Sequence, residues 1–275
     1  MKAVNKTIYP ETFHGLTSGK EVHLKIKDEL INALGFFCSY CEIPLGGYEV
    51  EHHKDFAEWK SAKISDWPDL LLICKDCREH IVTPVLSESQ HSEMLWPDED
   101  LTFTLKNLSA FIYVPKPVTY RVVDNSGEKV SEEKKELVFI LPNPEADEST
   151  QRMARNTIDH FQLNMRREYH SGHSGMITVP ASAHDQMLDN RIFERTRAWK
   201  VATEAAERYK MMQESLPPSH SEELLKKLQE QITMDAFFKG NWSVWMTVFW
   251  NRFHNHELLH TLFSGNQQHL FGNIK

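Results

Sequence analysis

At 275 residues, with 40% hydrophobic and 25% charged side chains, the chain has an ordinary globular composition and room for one or two domains. Its formal charge of −8 excludes a protein that grips a polyanion by bulk electrostatics, so nucleic acid needs a local basic patch or a basic partner. The opening residues contain no apolar core, and the most apolar run, Trp242 to Trp250, is far short of the roughly 18 residues that cross a bilayer. A cytoplasmic protein without membrane contact is expected.

In chain order, residues 20–34 form an amphipathic helix, with Val22, Ile26, Leu30 and Leu34 every four residues and Gly35 as its stop. A segment with two cysteine pairs follows, over residues 36–85. The next stretch is acidic and strand-like. Thr119–Val123 and Glu136–Leu141 flank Asn125-Ser-Gly127, which predicts a hairpin with a long loop. After Pro142-Asn-Pro144 an acidic cluster leads into a helix with Met153, Ile158, Phe161 and Met165 on one face. A second helix spans about residues 190–214, with Ile192, Trp199, Ala202, Ala206 and Tyr209 inward. Leu216-Pro-Pro218 breaks it, and Ser219 with Glu222 starts the next helix as a capping box. The last forty residues are aromatic-rich and helical. The fold class is α+β, with more helix than strand.

All four cysteines of the chain fall into two Cys-x-x-Cys pairs, Cys38-Ser-Tyr-Cys41 and Cys74-Lys-Asp-Cys77, with 32 residues between them. In a reducing compartment such pairs are metal ligands rather than disulfides. Two knuckles deliver four thiolates to one tetrahedral zinc and leave no open position, so this zinc is structural. A redox role needs only one pair, usually in a strand–helix context. Between the knuckles lies Tyr48-Glu-Val-Glu-His-His53, a strand-like run with adjacent groups able to bind metal or move protons. Trp67-Pro-Asp69-Leu-Leu-Leu-Ile73 then leads into the second knuckle.

These residues resemble the HNH, or ββα-metal, nuclease family in its zinc-clipped form. The resemblance implies a phosphodiester-cleaving module in which Glu51 is the acidic ligand of a catalytic divalent ion and His52 is the general base. Asp69 stands where the family has its middle Asn and ties the loop. Arg78 stands where the family has a second metal ligand. Three readings of that departure stay open: His80 or Glu79 replaces the ligand, Arg78 contacts phosphate directly, or the site is impaired. The chemistry suits the residue types, because a neutral imidazole takes a proton from water and a carboxylate-held ion stabilises the leaving oxygen. Magnesium fits a site with few protein ligands. His53, next to His52, points to the opposite strand face and is assigned to packing or phosphate contact.

The resemblance extends to Pro142-Asn-Pro144, Ala154-Arg-Asn-Thr-Ile158 and Phe161-Gln-Leu-Asn164, which are similar to the HNH subunit of Septu-type and retron-associated anti-phage systems. It implies a nuclease module with its leading helix at residues 1–85, an acidic hairpin insertion at 86–150 and a helical region at 151–275 that docks on an ABC/SMC-type ATPase partner. The substrate is nucleic acid, DNA first, with structured RNA as the alternative. A non-catalytic zinc scaffold is the third reading.

Further features carry bland and functional readings side by side. Arg152, Arg155, Arg166 and Arg167 line a polyanion path or form a solvated helix face. His160, His170, His173 and His184 are spaced too irregularly for a second metal site and read as a polar loop. Trp242, Trp245, Phe249, Trp250 and Phe253 make one broad helix face, either core or a partner-docking surface.

Overall fold

The computed structural model describes residues 20–46, 48–52, 57–58, 64–79, 87–97, 110–124, 126–164, 170–171, 176–180, 190–215 and 218–263, together with Phe13 and Ile81. Helix α1 (Lys20–Leu34) turns Val22, Ile26 and Leu30 inward and leaves Leu24 and Lys25 in solvent, as its four-residue apolar spacing requires. Gly35 ends it in the left-handed region at φ 82°, donating its amide to the Ile31 carbonyl at 2.8 Å.

Strands β1 (Tyr48–His52) and β2 (Ala57–Glu58) precede a 3-10 turn, Ile64–Asp69. Strand β3 (Leu70–Cys74) then passes directly into helix α2 (Lys75–Glu79). The three strands make an antiparallel sheet in the order β2-β1-β3. Its register sets Tyr48 opposite Cys74 and His52 opposite Leu70. All five residues of β3 are buried, and α1 packs on it. A strand covered on both faces has no polar side to show, hence the unbroken Leu-Leu-Leu-Ile-Cys run.

After the short helix α3 (Glu88–His91), strands β4 (Phe111–Val123) and β5 (Lys129–Pro142) form a hairpin of 13 and 14 residues. The connection is shorter than the sequence predicts. Pairing runs to Val123 and Lys129, and the Asp124 carboxylate closes the turn by accepting from the amides of Ser126 and Glu128, with Gly127 at φ 85°. The charged segment that reads as loop is the solvated outer half of β5, residues 129–134, where Arg121 pairs with Glu132 at 2.8 Å. The inner half, Leu137–Ile140, is buried.

Helix α4 (Glu148–His160) is capped by Asp147, whose carboxylate accepts from the Thr150 amide at 3.0 Å. Strands β6 (His170–Ser171) and β7 (Met176–Pro180) complete a second sheet in the order β5-β4-β7-β6, with β7 parallel to β4. Strand β5 is its outer edge. The backbone that this edge leaves unpaired by a strand is satisfied from the side: Ile140 exchanges two hydrogen bonds of 2.8 Å with the Asn164 side-chain amide, and Thr196 accepts from Val138 at 2.9 Å.

The chain closes with helices α5 (Asn190–Ser215), α6 (Pro218–Lys239), α7 (Trp242–Phe253) and α8 (His256–Phe263). Helix α6 begins at Pro218, where a missing N–H costs nothing, so Ser219 lies inside the helix rather than at its cap. In α7 every residue from Trp242 to Phe249 is buried, with α5, α6, α8 and β4 around it. A helix apolar on all sides belongs in a core. Trp242, Trp245 and Phe249 are therefore core residues and offer no docking face; Trp250 and Phe253 are half-buried, Phe253 packing edge-on against Tyr209. The molecule is α+β, and one hydrophobic cluster runs from α1 and the cysteine segment through β4, β5, α4 and α5 to α8. Among the described residues no helix is long and apolar enough to cross a membrane.

Candidate metal centre

The first knuckle is a tight turn, closed by the Glu42 amide on the Cys38 carbonyl at 2.9 Å and the Cys38 amide on the Ile43 carbonyl at 3.0 Å. Ser39 pins this turn to the open edge of β3: its amide donates to the Leu72 carbonyl at 2.8 Å, and its hydroxyl accepts from the Leu72 amide at 3.3 Å. The second knuckle is the junction of β3 and α2. Cys74 ends the strand, Cys77 lies in the helix, and the Cys77 amide donates to the Cys74 sulfur at 3.3 Å. A sequence separation of 33 residues between Cys41 and Cys74 thus collapses to 3.7 Å between sulfurs.

All four Sγ atoms lie within 4.8 Å of one another, and all four cysteines are buried and free of disulfides. A tetrahedron with zinc–sulfur bonds of about 2.3 Å has edges of about 3.8 Å, so the cluster has the dimensions of a tetrathiolate site. Its electrostatics fit as well. Burial opposes ionisation of Cys38, yet hydrogen bonds from Cys41, Cys74 and Cys77 hold its thiol well below the usual range. Burial pushes Cys41 up, with Cys38 adding to the rise. The hydrogen bond with Cys38 likewise raises Cys74. The fold crowds four buried sulfurs together, an arrangement in which a divalent cation would stabilise all four as thiolates. Among the described residues no other group of His, Cys, Asp or Glu comes together in this way.

Both knuckles are fastened to the helical half by buried charged side chains. Glu42, 5% exposed and at φ 62°, accepts from the Ser243 amide at 2.8 Å and from the Ser243 hydroxyl. Its carboxylate thereby sits on the N-terminal end of α7, where an anion is favoured. The neighbouring Asn241 amide donates to the Glu42 carbonyl at 2.9 Å. Gly240, at φ 71°, has no room for a side chain: a Cβ there meets the Glu42 carbonyl oxygen. On the other knuckle, Arg191 of α5 is fully buried and donates to the Cys77 sulfur at 3.5 Å. Tyr40 stacks on Phe161 with centroids 4.0 Å apart.

Of the other expected site residues, Glu51 and His52 lie consecutively on β1, opposite Leu71 and Leu70; their side chains fall outside the described residues. Asp69 is half-buried and ends the 3-10 turn, one residue before the partner of His52. Backbone pairing thus gathers 51, 52 and 69 at the end of the sheet remote from Cys74. Arg78 is half-buried on α2, and Glu79 is exposed and paired with Lys75 at 3.6 Å. Arg152 and Arg155 are exposed on α4. His53, His80, Arg166 and Arg167 lie outside the described residues. His160 is not in a polar loop: it ends α4, is 9% exposed, and burial lowers its pKa to about 4.

No family model, curated protein or solved structure matches the chain. The site is therefore characterised by its own geometry. Sequence reasoning missed Glu42, Arg191 and Ser243 as parts of it. For Arg191 a signal existed: positions 191, 195, 198, 202, 205 and 209 repeat at four and three residues and are all buried, so Arg191 and Arg195 continue the inward stripe.

Proposed function

We propose that the chain is a metal-dependent endonuclease of the HNH type, cutting nucleic-acid phosphodiesters, DNA foremost, as the effector of an anti-phage pair with an ATPase partner. The observation that carries the reading is the antiparallel β1–β3 pair running into α2, clipped by four sulfurs, with Glu51 and His52 beside Asp69 at its far end. The defence role and the partner rest on the sequence resemblance alone.

In this reading His52 accepts the proton of the attacking water, and Asp69 holds the loop that orients it. Glu51, with His80, holds a divalent ion such as magnesium, which supplies Lewis-acid stabilisation of the leaving oxygen. The four-thiolate zinc takes no part in the reaction and fixes the strand–helix junction. Arg78 offers only donors and cannot ligate a cation, and is assigned to phosphate contact.

Arg78 also favours a second reading, in which the same scaffold is a non-catalytic adaptor. The two separate cleanly. Full-length protein, co-expressed with its neighbouring genes, is incubated with supercoiled plasmid and with total RNA in magnesium or manganese. Nicking that disappears in His52→Ala while zinc content is unchanged supports the nuclease. Equal nicking in His52→Ala, or cleavage of neither plasmid nor RNA by the wild type with either ion, removes it; breakdown of RNA alone reassigns the substrate.

A further inference from the structure

The Arg191 guanidinium stands between two electron-rich partners. One nitrogen donates to the Phe161 carbonyl at 2.8 Å and to the Cys77 sulfur at 3.5 Å, and the other donates to the Gln162 carbonyl at 2.9 Å. Those carbonyls lie just past the C-terminal end of α4, where the helix dipole is negative. Gln162 is held there at φ 47°. Phe161 in turn stacks on Tyr40, inside the first knuckle. A single side chain of α5 therefore touches the second knuckle directly and the first through one aromatic contact.

Burying an arginine is costly unless its charge is compensated. Four thiolates around a divalent ion carry a net double negative charge, and a hydrogen-bonded guanidinium against one sulfur offsets part of it while tempering that sulfur's basicity. We propose that Arg191 is a positioning residue of the metal centre: its charge sets how tightly the four-cysteine site holds its ion, and its carbonyl contacts transmit the loaded state to the α4–α5 half of the protein. The proposal goes beyond the nuclease reading and does not rest on it.

Arg195 supplies an internal control. It lies one turn further on the same helix, is 2% exposed, and caps the same α4 end through the Leu163 carbonyl at 2.8 Å, with further hydrogen bonds to the Val138 carbonyl and the Asn164 side-chain oxygen. The experiment is chelator competition on full-length zinc-loaded protein, with cobalt substitution as a second readout. Arg191→Met is expected to raise the zinc dissociation constant about 10- to 100-fold and to shift the thiolate-to-cobalt charge-transfer band. Arg195→Met is expected to lower the melting temperature while leaving both metal readouts near wild type. Wild-type zinc affinity and cobalt spectrum in Arg191→Met, or equal loosening in Arg195→Met, overturns the proposal. Should Arg191→Met fail to fold, hydrogen exchange on the wild type decides. Chelation is expected to speed exchange at residues 157–164 and 190–196 ahead of 134–142; acceleration confined to the two knuckles overturns it.

Discussion

The carboxylate of Glu42 rests on the backbone amide of Ser243, 201 positions along the chain, at 2.8 Å. It is buried and lies one residue past the first cysteine pair, so it fixes the knuckle turn against the start of α7 while satisfying an amide that has no intrahelical partner. Glu42→Gln keeps the shape and removes the charge. Its expected cost is about 1–3 kcal/mol, read by urea denaturation of the zinc-loaded protein, together with faster zinc release. A variant as stable as wild type contradicts the assignment of Glu42 as the tie between the knuckle and α7.

Strand β5 is kept from pairing with another chain by Asn164, whose amide imitates a neighbouring strand at Ile140. Asn164→Ala strips one buried donor and one acceptor of their partners. Destabilisation of about 1–3 kcal/mol is expected, with concentration-dependent self-association in sedimentation as the edge opens. A stable monomer at every concentration counts against the edge-guarding role.

His160 gives a pH dependence with a definite sign. Burial lowers its pKa from 6.5 to about 4, so the unfolded chain takes up a proton that the native state refuses. Its contribution is complete above pH 6.5, declines as the pH falls towards 4, and is gone below. His160→Gln is expected to flatten the melting temperature against pH across that window relative to wild type. Parallel curves dispose of the claim. Acid release of metal acts on both proteins alike and cancels in the comparison.

Much of this architecture is legible in the residues. Helix α1 ends where Gly35 requires, α5 spans almost its expected range, and the cysteine spacing gives the four-sulfur cluster outright. What periodicity misreads is instructive. Residues 129–134 are charged and look like loop, but a solvated strand tolerates charge when it is paired across, as Arg121 and Glu132 show. The spacing of Arg191 and Arg195 continues the inward stripe of α5, but arginine is seldom buried without compensation, and the compensating groups are what the sequence hides. Their partners are a sulfur and carbonyls on distant segments, which no local pattern encodes. The tie of Glu42 to Ser243 is hidden for the same reason: 201 positions separate the two ends of one contact.

The order of these contacts along the chain has a consequence for biosynthesis. The four thiols emerge from the ribosome before Arg191 and Ser243, so the helices that cover the cysteine cluster are translated after it. That order allows an ion to be taken up before α5 and α7 close over the sulfurs.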